Sequence, residues 1–356
     1  ALQYPIERTA FTFIQTTEEV EHLASLYFYI CIWGAPAVLG LYSFAGWYIG
    51  MQNSRFPMYI AITQNVVNII ASLGLVYLCG MKVEGVALGT LIAQYAGFLM
   101  GIVLWMHNYG RLKRFWEIKN YKLKIKGGEG AGIWEKGAMF RFFQVNRDIF
   151  LRTLCLVAVT LFFTSAGASQ GEIILAVNTL LMQLFTLFSY VMDGFAYAGE
   201  ALSGRYIGAR NREAFTDTVR HLFGWGAVIA VLFTLVYALG GNAFLGLLTD
   251  DKEVIAVADT YFYWALAVPA VGIAAFIWDG IFIGATATRG MLLSMAAAAV
   301  SFFILYYGLH PVLANHALWL AFLTYLLMRG VVQTGLSREV IRRAFPSKKE
   351  PAWREG

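Results

Sequence analysis

Eight long runs without a single Asp, Glu, Lys or Arg dominate this sequence, at 24–54, 56–81, 85–110, 153–171, 173–192, 222–249, 260–278 and 290–328. A membrane-spanning helix needs about 20 mostly apolar residues. Within lipid, only helices and closed barrels satisfy every backbone polar group. The last run is long enough for two spans and is interrupted near Gly308 and Pro311. The sequence therefore predicts nine complete helical spans and an all-α polytopic membrane protein.

The predicted spans divide the chain into four parts. Residues 1–106 form the remaining N-terminal lobe, 107–146 a cytoplasmic connector, 147–336 the C-terminal lobe and 337–356 a cytoplasmic tail. The later part of the connector, residues 133–143, is amphipathic and is expected to lie on the membrane surface. The predicted spans fall near 24–50, 58–80, 85–106, 148–168, 172–203, 216–240, 257–288, 290–308 and 315–335.

The two parts of the chain also repeat each other. Gly46 and Gly50 return as Gly280 and Gly284, and Arg55 returns as Arg289, all at an offset of 234. Two homologous membrane halves are the usual plan of a secondary transporter. If Ala1 corresponds to position 235, the first half lacks the counterpart of residues 147–234. We therefore expect a direct repeat of two six-helix lobes, with twelve spans when complete, of which this chain carries nine and part of a tenth.

The charge pattern predicts topology. Of the 27 Lys and Arg residues, 22 fall on one side of the membrane if nine spans alternate. By the positive-inside rule this side is cytoplasmic, so the C-terminus is expected there. These charges are spread over five loops, which argues against a nucleic-acid partner. The three cysteines lie inside apolar runs and have no disulfide or metal-site spacing. We expect a monomer in the lipid bilayer without a cofactor.

Four stretches resemble one family of membrane proteins: "MDGFAYAGEALSGRYIGA" (192–209), "NRDIFLRT" (146–153), "WDGIFIGATATR" (278–289) and "GMQNSRFP" (50–57). They are similar to the multidrug and toxic compound extrusion (MATE) family, most of all to its DinF-like branch. The resemblance implies export of cationic or amphipathic compounds in exchange for H⁺ or Na⁺, by alternating access across the cytoplasmic membrane of a prokaryote.

Polar residues in the second and third predicted spans are candidates for a site in the first lobe. Gln64 and Asn68 lie one helical turn apart on one face. Such amides either hydrogen-bond neighbouring helices or line a pocket. The family resemblance implies the pocket, with Asn68, Ser72 and Thr90 at the positions of a proton or cation site. Ser72 departs from the family pattern, because archaeal members carry an acid there.

The charged candidates lie in the second half. Asp148 and Arg152 are one turn apart and are predicted to pair, and Asp193 or Asp279 is expected to complete a buried network. Ionisable groups inside spans usually face a cavity or a partner, since insertion costs about 3 kcal/mol. Two interpretations stay open at this point. The acids form a structural latch that closes the lobe, or one of them is a protonation site coupled to transport.

Three other functions are weighed against drug export. A lipid-linked oligosaccharide flippase requires a strongly cationic cavity, and Arg152 is the one arginine that the sequence pattern places in such a position. A membrane-embedded lipid-modifying enzyme requires a catalytic constellation, and no candidate catalytic residues stand at a usable spacing. The third alternative is a truncated transporter without function.

Overall fold

The computed structural model describes residue 4, residues 18–125 and residues 136–346. These residues form helices and turns, with no strand among them. They include a 3₁₀ turn, Ile32–Gly34, and a π-helical turn, Gly74–Leu78. The α-helices are α1 (Glu18–Cys31), α2 (Ala35–Gly50), α3 (Arg55–Leu73), α4 (Val83–Ile125), α5 (Lys136–Ala168), α6 (Glu172–Gly208), α7 (Arg212–Leu248), α8 (Lys252–Gly284), α9 (Thr288–Leu313) and α10 (Asn315–Ala344).

The described residues contain nine helical stretches that are long and apolar enough to cross a membrane. Each overlaps one predicted span, and α1 and α2 together make the first. The helices extend beyond the predicted limits around the expected connector, where α4 continues to Ile125 and α5 begins at Lys136. Residues 136–143 are thus the first turns of a spanning helix, not a separate surface helix. Residues 133–135 and the tail beyond 346 lie outside the described residues.

The turns that end α2 and α8 show the repeat in the backbone. Gln52 and Thr286 stand 234 residues apart, and both have a positive φ, 59° and 54°. Gln52 donates its backbone N–H to Ile49 O at 2.8 Å, and Thr286 donates to Ile283 O at 2.9 Å. A left-handed residue with backward hydrogen bonds is a common way to end a helix. The two turns agree with the predicted direct repeat, although a turn of the same geometry also ends α6 at Arg210, where φ is 53°.

The chain divides into two compact units, residues 1–132 and 133–356. Among the described residues of the first unit, α2 packs on α4 through Tyr48, whose buried hydroxyl donates to Gly101 O at 2.7 Å. The helix α3 also packs on α4, where Ser72 lies directly against Gly89. Small residues at such contacts let helix backbones approach closely in lipid.

The second unit, formed by α5 to α10, is organised around α8. This helix is apolar around most of its circumference, and α6, α7 and α10 all pack on it. A helix that is hydrophobic all round is normally buried, and most of the apolar part of α8 is indeed buried. Its start is fixed by Asp251, whose carboxylate accepts the N–H groups of Glu253 at 2.9 Å and Val254 at 3.3 Å. Asp251 is an ordinary helix cap.

The helices α6 and α8 cross where both have small residues. A Cβ on Gly280 would overlap the backbone of Ala196, and one on Gly284 would approach the Cβ of Ser203 to 2.9 Å. Two glycines four residues apart are a frequent contact motif between helices in membranes. Because Gly280 follows Asp279 directly, this crossing also fixes the position of the Asp279 carboxylate relative to α6.

Candidate functional site

A charged cluster lies inside the second unit, centred on Asp279 of α8. The residue is 7% exposed, and its carboxylate is held from two other helices. Arg152 of α5 forms an ion pair with Oδ2. Arg329 of α10 donates to the same oxygen at 2.6 Å, and Gln333 donates to Oδ1 at 2.5 Å. Buried carboxylates are stable when opposite charges and hydrogen bonds satisfy them, so this cluster ties α5, α8 and α10 together.

Arg329 is the member of the cluster that the sequence interpretation missed. It is 6% exposed, and its guanidinium lies 5.6 Å from the ring centre of Tyr325 and 5.9 Å from that of Phe276. Aromatic faces attract cations at such distances. In the sequence, Arg329 follows the last charge-free run, 290–328, and therefore marks the end of that run. The available signal was its place inside the predicted span 315–335, where an ionisable residue needs a partner.

Asp148 is buried but does not pair with Arg152. Its carboxylate accepts from Arg147 at 3.0 Å, and the Thr288 hydroxyl donates to its other oxygen at 3.5 Å. Arg152, one turn deeper in α5, points to Asp279 instead. The predicted pair between Asp148 and Arg152 is therefore wrong. The physical reason is that Asp279 is buried in the core of the unit and requires a counter-charge that only neighbouring helices can supply.

Asp193 on α6 faces the cluster without joining it. The residue is half-buried and interacts electrostatically with Asp279, Arg329 and Arg152. No hydrogen bond or ion pair joins its carboxylate to another residue in the described parts of the chain. Glu200, two turns along the same helix, is half-buried as well.

The charges of the cluster balance only when Asp193 is counted. Asp279 neutralises one of the two guanidiniums that bind it, which leaves one positive charge in an apolar interior. An ionised Asp193 brings the sum to zero. Because electrostatic interactions are strong where water is excluded, the state of Asp193 has a direct effect on the energy of the whole cluster.

A second buried polar cluster lies at the other end of α6 and α10. The amides of Asn178 and Asn315 exchange two hydrogen bonds at 2.8 and 2.9 Å, and the Trp319 indole donates to Asn178 at 2.9 Å. All three residues are at most 2% exposed. Since every amide atom in such a pair costs free energy if left unpaired, the cluster fixes α6 against α10. The sequence does not predict this cluster, because a single amide in a predicted span does not indicate which residue it will bind.

In the first unit the candidate residues lie on facing helices. The Ser72 hydroxyl donates to Asn68 Oδ1 at 2.9 Å, and Thr90 donates to Val86 O in its own helix at 3.0 Å. Gln64, Asn68 and Ser72 are half-buried along one face of α3. Ser72 lies against Gly89 and Gln64 lies near Gly97, so this face packs on α4. Thr90 follows Gly89 on α4, but its hydroxyl interacts with Tyr27 of α1. The structure thus brings Gln64, Asn68 and Ser72 together on the face of α3 that contacts α4, but it does not join Thr90 to them within the described residues.

Among the described residues, no group of three or more His, Cys, Asp or Glu side chains is placed to hold a metal ion. The described histidines do form local contacts. For example, the indole of Trp264 donates to His316 Nδ1 at 3.1 Å. The charged cluster of the second unit is therefore the strongest candidate for a functional site in the described parts of the chain.

Comparison with known proteins gives consistent matches. The family model described as MatE matches residues 2–73 and 149–309. The DNA damage-inducible protein F of Escherichia coli (strain K12) is 37% identical over 330 residues, which cover 93% of this chain and 69% of that protein. The probable multidrug resistance protein NorM of Photorhabdus laumondii is 22% identical over 258 residues, 69% of this chain and 52% of that protein.

The fold also matches solved structures. A crystal structure of MATE in the bent conformation superposes with a TM-score of 0.79 at 17% sequence identity, covering 96% of this chain and 74% of the solved chain. At this identity the likeness concerns the fold. The chain thus spans roughly half to three quarters of the length of these relatives.

Proposed function

The chain belongs to the MATE family of multidrug and toxin efflux transporters, and from this premise we propose that the full-length protein is a secondary active antiporter. It exports cationic or amphipathic compounds in exchange for H⁺ or Na⁺ and works as a monomer. It resides in the inner membrane of a bacterium with its C-terminus in the cytoplasm. The observation that carries the proposal concerns Asp193, an acid that forms no ion pair with any described residue and faces a buried charged cluster inside a membrane-spanning unit.

The two acids of the second unit take different roles in this proposal. Asp279 is saturated by two arginines and a glutamine, so a cation can bind it only after an arginine has moved away. It acts as the latch. Asp193 has no such partner in the part of the chain that the structure describes, and it is the coupling group. When it takes up H⁺ or Na⁺, its charge no longer compensates the surplus guanidinium, and the cluster favours a different arrangement of α6. A change of this kind at one group biases a two-state transporter between its inward-open and outward-open forms.

The polar face of the first unit contributes a second part of the ion pathway. Asn68 and Ser72 supply amide and hydroxyl oxygens at the contact of α3 with α4, and Thr90 supplies a hydroxyl one residue beyond that contact on α4. Neutral oxygen groups of this kind coordinate a monovalent cation or conduct a proton when an acid stands nearby.

The other interpretations are weaker. The family and the structural neighbours are transporters and not enzymes, which removes the lipid-modifying enzyme. A flippase for a lipid pyrophosphate requires several uncompensated positive charges. Arg329 adds one guanidinium to the sequence-based count, but Asp279 and Asp193 balance both arginines of the cluster.

We expect cells that produce the full-length protein to accumulate less of a cationic dye than cells with an empty vector. Collapsing the proton gradient and the sodium gradient in separate samples should abolish the difference in one of them and identify the coupling ion. Dye fluorescence per cell measures the effect. Equal accumulation across several cationic dyes, with the protein verified in the membrane, would contradict drug export.

In the first unit, we expect Asn68→Ala and Thr90→Ala each to reduce dye efflux several-fold while leaving the amount of folded protein unchanged. The matched control is Asn65→Ala, because Asn65 is exposed on the same helix and its amide donates to Ala61 O of its own helix. If both variants transport like the parent, these side chains serve helix packing and do not belong to the ion pathway.

A further inference from the structure

A cavity of about 1020 Å³ lies at one end of the second unit, and we refer to it as the α9 vestibule. It is formed by the start of α5, the turn between α8 and α9, the start of α9 and the end of α10. Its volume lies in the range of small-molecule sites. The residues that matter for its chemistry are Arg141, Asp148, Arg289, Leu293, Glu339 and Arg343.

The vestibule together with the adjoining Arg147 carries two surplus positive charges. Glu339 accepts from Arg343 at 2.5 Å, and Asp148 accepts from Arg147 at 3.0 Å, so both acids are already compensated. No ion pair joins Arg141 or Arg289 to another residue in the described parts of the chain. Arg289 is also the arginine that recurs in the repeat, and the transport proposal gives it no task. The vestibule is therefore an electrostatically favourable place for an anion.

The walls of the vestibule are amphipathic. Phe142 and Leu293 belong to its lining and are 59% and 52% exposed. Apolar side chains that remain exposed next to a basic cavity suit a ligand with an anionic head and a hydrocarbon part. A soluble anion would leave these two side chains uncovered.

The depth of the vestibule also matches a lipid headgroup. Arg141 lies in the first turn of the span Met139–Ala168, and Arg289 in the first turn of the span Thr288–Leu313. Both are at the membrane surface that the positive-inside rule makes cytoplasmic. We propose that the α9 vestibule binds an anionic phospholipid of the inner leaflet. Arg141 and Arg289 bind the phosphate, and the acyl chains run over Phe142 and Leu293. Basic pockets between helices on this side of a membrane are suited to anionic headgroups.

The proposal is tested by measuring lipid retention by the purified full-length protein. The protein is incubated in vesicles of phosphatidylcholine with phosphatidylglycerol, extracted, and analysed for bound lipid by mass spectrometry. We expect Arg141→Gln with Arg289→Gln to lower phosphatidylglycerol retention roughly 25-fold, because each basic group near an anionic surface contributes about fivefold. The matched control is Arg212→Gln with Arg338→Gln, which removes the same charge from exposed residues outside the vestibule.

Two further measurements test whether a soluble phosphate compound or the chain's own tail occupies the vestibule. Inorganic phosphate and glycerophosphoglycerol compete with the lipid if the site takes any phosphate, and equal competition at equal concentration would overturn the lipid assignment. Removal of residues 347–356 tests whether the chain's own tail fills the cavity. If this removal increases lipid retention many-fold, the tail is the native occupant and the proposal is wrong. Unchanged retention in the double arginine variant would overturn it as well. Lipid retention is measured without any transport assay, so its result does not depend on whether the export proposal is correct.

Discussion

Asp279→Asn is expected to lower the free energy of unfolding by about 3–5 kcal/mol, the usual cost of removing one partner from a buried ion pair. The amide keeps the shape of the carboxylate but leaves Arg152 and Arg329 without a counter-charge. It also turns a donor group toward them or toward Gln333. Thermal unfolding of the purified protein in detergent, followed by fluorescence, measures the loss.

The matched control is Asp193→Asn. This side chain is half-buried and forms no ion pair with the described residues. Its replacement leaves one positive charge of the cluster uncompensated, so it should cost about 1 kcal/mol, less than Asp279→Asn. It should nevertheless abolish gradient-driven efflux while substrate binding persists, because it removes the proposed coupling group. Substrate-induced shifts of the unfolding temperature report binding without transport.

A rescue experiment makes the assignment of the latch specific. Replacing Arg329 by Gln in the Asp279→Asn background removes one of the two unpaired charges and should recover part of the lost stability. Adding Arg152→Gln should recover no more, because it leaves the charge of Asp193 uncompensated. If the Asp279→Asn protein is as stable as the parent, the carboxylate is accessible to water and is not a latch. If it is stable but inactive while Asp193→Asn transports normally, the two acids have the opposite roles.

The spans could be predicted because their signal is local. Charge-free runs of about 20 residues and a repeat that keeps Gly46, Gly50 and Arg55 in register are readable from one sequence. The identity of several site residues was likewise predictable, since a charge inside a span needs a partner. Asp279 and Arg152 were recognised as candidates on this ground, and the structure joins them.

The pairing inside the cluster could not be predicted to the same degree. Spacing along α5 makes Asp148 and Arg152 neighbours, but it contains no information about which helix faces them. Tertiary packing decides which acid pairs with Arg152, because the buried Asp279 of α8 needs an opposite charge from a neighbouring helix. Arg329 was missed for a related reason. It ends an apolar run in the sequence, whereas in three dimensions α10 continues as a helix for fifteen more residues, to Ala344.

The position of the cluster depends on the crossing of α6 and α8, and a second large effect is expected there. Gly280→Val should destabilise the protein by about 1–3 kcal/mol or more, the usual range for overpacking a filled interior. The upper part of the range applies, because the obstacle is the backbone of Ala196 and not a flexible side chain. Gly280→Ala should give a smaller loss in the same direction. Both are measured by thermal unfolding.

Gly335→Ala is the matched control, because a Cβ at that position meets no described atom within 4 Å. It should leave stability unchanged or raise it slightly, as alanine favours a helix over glycine by up to about 1 kcal/mol.

The two sites also differ in their coupling to the charged cluster. Separating α6 from α8 at Gly280 lets water reach Asp279, so Asp279→Asn should cost less in the Gly280→Ala background than in the parent. Residues in contact show such non-additivity, whereas distant ones do not. The cost of Asp279→Asn should be the same in the Gly335→Ala background as in the parent. Full additivity of Gly280→Ala with Asp279→Asn would mean that the helix crossing and the cluster are independent. The close packing of α6 on α8 would then not be what excludes water from Asp279.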